Sequence, residues 1–189
     1  MRAKLNDTEM TRDDVMRETV DHTIAVGMYM MRVVGDLQQR AVVHDRSKFD
    51  ASEFEAFALA TPKLRSLTYG SDEYKKSLDE IRPAVERHYA ANSHHPEHHR
   101  RGIDGMTLMD LVEMLCDWKA ATERHADGSM RKSFDHNRER FQISPQVEAL
   151  MVNTAIRFGW MPECPRCHSM DYNNGGPCPG CQYIEGDKI

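Results

Sequence analysis

The sequence predicts an all-α protein, and three observations carry that expectation. Apolar residues recur at three- and four-residue steps across residues 1–160, side-chain caps stand in front of those runs, and no alternating apolar–polar segment reads as a strand. A chain of 189 residues can bury a sizeable core. The helical body is expected over residues 1–160, with a small segment of different character over 161–189.

Thr11 with Asp14 three positions later resembles a capping box and opens a long helix reaching about Leu37. Val15, Val26, Met30, Val33 and Leu37 give that helix one apolar stripe, expected to be buried, and His22 lies on it one turn before Val26. Asp50 and Glu53 can cap a short helix through Leu59, which Thr61-Pro62 should end. Ser71 precedes a helix running to about His88, kinked at Pro83. Thr107 with Asp110 is a second capping box, ahead of Leu108, Leu111, Val112, Leu115 and Trp118. Ser144-Pro145 starts a last helix, because proline is favoured in the first turn. Val147, Leu150, Met151 and Phe158 form its apolar face, and Gly159 its stop.

Composition narrows the function classes. Residues 1–14 are polar, without the apolar run of a signal peptide, and the most apolar stretch, residues 23–34, is interrupted by Arg32 and too short to span a bilayer. The expected location is the cytoplasm, with no membrane partner. A net charge of −5 argues against a general nucleic-acid binder. Local basic clusters, notably Arg87 and the run His98-His99-Arg100-Arg101, can still hold a small anion.

Ten histidines are many for this length, and six of them lie between His44 and His99. A neutral imidazole and a carboxylate both ligate Mn, Fe, Co or Zn, so His44-Asp45 is the key pair. Neighbours on a regular helix diverge by about 100°, so a shared ion would have to lie between them and draw on other helices. The ordered set supplies those: His22 earlier, then His44 and Asp45, then His88, His94 and His95, and finally Asp117. Cys116 reads as a small buried apolar residue, and Asp110 as a cap.

This order resembles the HD-domain superfamily of metal-dependent phosphohydrolases, over roughly residues 15–125. His44-Asp45-Arg46-Ser47-Lys48 is similar to that family's His-Asp-x-Gly-Lys segment, with Ser47 in place of glycine. Leu111-Val112-Glu113-Met114-Leu115-Cys116-Asp117 resembles the helix that carries its last aspartate. The resemblance implies an HD-like helical bundle in which His22, His44, Asp45 and Asp117 hold one ion, and His88 with His94 or His95 a second. It also implies hydrolysis of a small phosphate ester, a nucleotide or a related metabolite. His94-His95-Pro96-Glu97 differs from the Gly-Tyr-Pro signature of cyclic-di-GMP phosphodiesterases, so that substrate is not expected. The motifs beginning at His44, Asn92 and Met114 are also similar to an uncharacterised family seen in phage and bacterial genomes, which implies no activity.

In this reading Asp45 and Lys48 belong to the catalytic machinery, Glu97 is the acid–base candidate, and Arg46, Arg87 and Arg100 are candidates for substrate phosphate. Two other classes remain open on the same residues. One is an HD-type di-iron oxygenase. The other is a binding or regulatory protein with a protein partner, its metals serving architecture alone.

Cys164-Pro165-Arg166-Cys167 and Cys178-Pro179-Gly180-Cys181 stand ten residues apart. Two such turns match tetrahedral zinc, and a segment this small cannot hold itself together by core burial. Residues 161–189 are therefore expected to form a zinc ribbon with one structural ion on Cys164, Cys167, Cys178 and Cys181.

Overall fold

The computed structural model describes residues 10–68, 71–124, 128–164, 178 and 181. The chain divides into two compact units, Met1–Val42 and Val43–Ile189. Helices form throughout, and no strand occurs among the described residues. No helix among them is long and apolar enough to cross a membrane.

Among the described residues the first unit is a single helix, α1 (Arg12–Val43), whose last residue opens the second unit. Its capping box forms as expected: Asp14 N donates to Thr11 Oγ1 at 3.2 Å, and Thr11 N donates to Asp14 Oδ2 at 3.1 Å. The helix continues past Leu37 to Val43 because nothing in Gln38-Gln39-Arg40-Ala41 stops it, and Arg40 pairs with Asp36 one turn back at 2.8 Å. The apolar stripe is not buried. Val15, Val26, Met30 and Val33 are exposed, since one helix has no second layer of its own to bury them against.

The second unit contains α2 (Ala51–Arg65), α3 (Asp72–Glu80), α4 (Arg82–Ala91), α5 (Leu108–Thr122), α6 (Met130–Phe141) and α7 (Pro145–Arg157). Pro62 does not end α2. It costs one backbone donor, and the helix runs one further turn to Arg65. The expected kink at Pro83 is a full break: Ile81 separates α3 from α4, and Pro83 sits in the first turn of α4, where its missing N–H is harmless. Ser71 caps α3, accepting from Tyr74 N at 3.1 Å. The capping box of α5 closes through Thr107 and Asp110, and Ser144 caps α7 by accepting from Val147 N. Gly159, at φ +68°, ends α7 with Trp160 N donating to Ala155 O and Gly159 N to Ile156 O, a Schellman motif.

Helix α6 has no counterpart in the sequence expectation. Its polar run conceals a narrow stripe, Met130, Phe134 and Phe141, and Ser129 makes no capping hydrogen bond that would announce it. That stripe matters, because the main core lies between α5, α6 and α7. Phe134 is fully buried beside Met114, Leu115, Trp118, Met151 and Ala155. Trp118 meets the Phe134 ring edge-on at 5.7 Å between centroids. Leu150 and Phe158, expected on the inner face of α7, are exposed, and so is Leu108. Cys116 is exposed as well: Met114 and Leu115 take the inward positions of that turn and leave the next side chain outside.

Candidate metal centre

Val43 ends α1, and Asp45 adopts a left-handed backbone at φ 54°. Aspartate tolerates that region better than most residues. The turn resolves the difficulty of adjacent ligands, because His44 and Asp45 are not on a regular helix at all. Their side chains converge, with His44 Nε2 3.5 Å from Asp45 Oδ2.

The two oxygens of Asp45 face different groups. Oδ1 lies 3.2 Å from His88 Nε2 and 3.5 Å from His94 Nε2, and His95 Nε2 stands 2.9 Å from His88 Nε2. Oδ2 faces His44 Nε2, which is 3.7 Å from Asp117 Oδ1. Asp45, His88, His94 and His95 thus make one group that could hold an ion, and His44, Asp45 and Asp117 a second, each with its atoms within 4.8 Å of one another. Bonds of about 2.1 Å imply ligand–ligand edges of about 3.0 Å in an octahedron and about 3.4 Å in a tetrahedron. The separations here match such edges. Asp45 Oδ1 and His94 Nε2 are also buried without any hydrogen-bond partner, although His94 is 1 % exposed. Buried polar atoms left bare are costly, and a cation satisfies both.

The outward nitrogens of these rings are fixed by a further set of polar groups. Glu113 Oε1 accepts from His44 Nδ1 at 2.9 Å and lies 3.2 Å from His94 Nδ1. His88 Nδ1 lies 3.1 Å from Ser47 Oγ and 3.3 Å from Glu53 Oε2, while Ser47 Oγ donates to Glu53 at 3.0 Å. Asn92 Nδ2 donates to Ser47 Oγ at 2.8 Å. With a proton held at Nδ1, the His44, His88 and His94 rings present their Nε2 lone pairs to the centre. Sequence reasoning read Glu53 as a cap of α2, where no side-chain cap bond forms, and gave no role at this centre to Glu113, Ser47 or Asn92. Asp110 is a cap, as expected, and its other oxygen accepts from Ser93 at 2.6 Å.

Electrostatics follow from this crowding. Hydrogen bonding to Asp117, then to Glu113, pushes His44 up to about 10. Burial, reinforced by His94 and His88, holds His95 down to about 3, so that ring is neutral and ready to ligate. Burial alone would raise Asp45, but the His88 imidazole and the Lys48 ammonium, 2.5 Å from Oδ2, outweigh it and keep the carboxylate ionised. His44 therefore carries a proton at neutral pH until an ion displaces it. Because its folded pKa lies above its ordinary value near 6.5, that proton's stabilisation of the metal-free fold is complete below about 6.5 and is lost as pH rises through about 10. Metal binding at pH 8 is expected to release about one proton from His44, and apparent affinity to rise with pH up to that range. Calorimetric titration in buffers of different ionisation enthalpy checks both.

A cleft of ≈ 940 Å³ opens beside the centre, with Lys48, His88 and His95 on its wall. Lys75, Arg82 and Arg140 line it too, cations that sequence reasoning did not select. Its choices lie elsewhere. Arg46, Arg87 and Arg100 are exposed and absent from this wall, and Arg87 spends a donor on Ser52 O. Glu97 is bound to Arg140 at 2.6 Å, a tie between the Pro96–His98 turn and α6. His22 is exposed on α1 and enters none of the ligand groups among the described residues.

Apart from the two groups above, and from His44, His94 and Glu113, which also lie close enough to share an ion, Cys164, Cys178 and Cys181 form a group that could hold a metal. Cys164 and Cys178 are fully buried, and the sulfurs of Cys164 and Cys181 are 3.7 Å apart. Tetrahedral zinc with bonds of about 2.3 Å has sulfur–sulfur edges of about 3.8 Å. Cys167 lies outside the described residues.

Fold and site together define an all-helical protein with a buried His/Asp cluster able to hold metal and a separate thiolate cluster. The chain belongs to DUF5662, a family of unknown function, which it matches over residues 11–157. No curated protein and no solved structure matches it.

Proposed function

We propose that this protein is a metal-dependent phosphohydrolase acting on a nucleotide or a related small phosphate ester. The observation that carries the reading is the pair of bare, buried ligand atoms, Asp45 Oδ1 and His94 Nε2, set among imidazoles beside an open cleft lined by cations and carboxylates. A divalent ion bound there polarises a phosphoryl oxygen and acidifies water. The chain's own residues supply the rest. Asp45 offers one oxygen to each ligand group, which suits it to join two ions. Lys48, Lys75, Arg82 and Arg140 line the cleft beside Asp79, Glu86 and Glu139, and a phosphate entering would draw Arg82 and Arg140 from their present partners Asp79 and Glu97. Lys48 has two tasks, since it neutralises Asp45 Oδ2 and also lines the cleft.

The donors differ between the two groups. Three imidazoles and a carboxylate favour Zn, Fe or Co, and one imidazole with two carboxylates accommodates Mn. Phosphate release from a nucleotide panel with Mn or Co, abolished in Asp45→Ala, is the test. Metal retention without any metal-dependent phosphate release across the panel would remove the reading. His22→Ala is expected to leave the metal content of the purified protein unchanged, as measured by elemental analysis.

The thiolate cluster is assigned a structural zinc, with Cys167 as its fourth ligand. Four thiolates leave no position for substrate. Cys164→Ser is expected to lower zinc content by about one ion per chain while helix content by circular dichroism is kept. Collapse of the helical signal would instead make the cluster part of the main core.

A further inference from the structure

No helix carries His94 and His95. They sit in a turn over residues 92–95, after α4, in which His95 N donates to Asn92 O at 3.2 Å. A ligand on a turn has no ladder of backbone bonds behind it, yet a working site needs its donors placed to within about 0.5 Å. Side chains must supply that precision.

Ser93, the residue in front of the pair, is tied by both its side chain and its backbone. Its hydroxyl donates to Asp110 Oδ1 at 2.6 Å, and its carbonyl accepts from His99 Nε2 at 2.8 Å. The two oxygens of Asp110 divide the work. Oδ2 accepts both bonds from Thr107, N at 2.8 Å and Oγ1 at 2.6 Å, while Oδ1 accepts from Ser93. A capping box needs only the Thr107 bonds, and helix starts of that kind do not require a buried carboxylate. Asp110 is nonetheless 2 % exposed, and burial of a charge is costly unless its oxygens are satisfied. On α5, Asp110 stands one turn before Glu113 and two turns before Asp117, so all three lie towards one face. Helix α5 thus reaches His94 twice, through Glu113 beside the ring at 3.2 Å and through Asp110 on the neighbouring residue. His44 and Asp45 are set instead by the turn that follows α1, and Asp117 by α5 itself.

We propose that Ser93, held by the second oxygen of Asp110, is the positioning residue that aligns His94 and His95 on the metal centre. The inference rests on that centre holding an ion and not on cleavage of a phosphate ester. Zinc titration of the full chain, followed through the ring-nitrogen NMR signals of each histidine, is the test. Ser93→Ala should need about tenfold more free zinc to shift the His94 and His95 rings, with a smaller change at His44. Ser93→Thr, which keeps the hydroxyl, should restore most of that loss. Thr107→Ala removes a bond to the other oxygen of Asp110, so it should lower the melting temperature while zinc affinity stays within about twofold. Wild-type zinc binding in Ser93→Ala would overturn the proposal, and so would equal losses of affinity in Ser93→Ala and Thr107→Ala. Absence of any zinc-induced shift at His94 and His95 in the wild type would overturn it too. Phosphate release is read separately: its absence beside the expected zinc results sinks the hydrolase and spares the positioning role, whereas metal-dependent release with unaltered zinc binding in Ser93→Ala does the reverse.

Discussion

Asp45→Asn is expected to lower metal-dependent phosphate release by more than about 100-fold, beyond the 10–100-fold that residues supporting a metal ligand carry. Asparagine is nearly isosteric and shares aspartate's tolerance of the left-handed region, so the backbone at φ 54° can be kept. What changes is charge and donor character. One side of the carboxylate faces His88 and His94, the other His44 and Lys48, and an amide must turn its NH₂ toward one of those sets. A donor cannot serve as a ligand, and the lost negative charge weakens both groups. Elemental analysis should show reduced metal, while circular dichroism shows the helices intact. Full metal content and full activity in this variant would make Asp45 only the partner of Lys48.

The fold was legible wherever a helix announced its own start. The caps at Thr11, Ser71, Thr107 and Ser144 are side-chain-to-backbone bonds within four residues, so local sequence determines them. Ends were harder to place. Proline at position 62 removes one donor and clashes locally, yet packing of the following turn decides whether the helix stops. Helix α6 was missed because only three of its positions are apolar enough to carry a stripe, and its burial depends on α5 and α7, which are distant in sequence.

For the site, the legible part was the set of residues that chemistry makes rare together. His44, Asp45, His88, His94, His95 and Asp117 all meet. The substrate cations were not legible. Arginines near the motif in sequence, such as Arg46 and Arg100, were favoured, while Lys75, Arg82 and Arg140 reach the cleft from α3, α4 and α6 through tertiary folding alone. Serine at position 47, read as a departure from the glycine of the resembled motif, has a positive task here: its hydroxyl joins Glu53, His88 and Asn92.

Glu113→Gln is expected to weaken metal binding by about 10–100-fold without removing any ligand. A single oxygen, Oε1, serves the Nδ1 atoms of two rings, 2.9 Å from His44 and 3.2 Å from His94; the rings turn their Nε2 atoms to different ligand groups, and with Glu113 they also lie close enough to be a group of their own. The carboxylate holds a proton on each Nδ1 and so keeps both Nε2 atoms free for an ion. It also raises their basicity. An amide can offer one oxygen but no charge, and if it presents NH₂ instead, both rings must change tautomer or turn away. The same substitution removes the second-largest cause of the raised His44 pKa, so proton release on metal binding should fall at pH 8. Glu53→Gln is the informative comparison. His88 Nδ1 keeps Ser47 Oγ at 3.1 Å when Glu53 is neutralised, so the loss of affinity there should be smaller. Chelator competition measures both variants. Equal losses would mean that Glu113 acts only through overall charge, and a lowered melting temperature with unchanged affinity would mean that it only packs. A larger loss at Glu113 follows only if one carboxylate orients imidazoles for both groups at once.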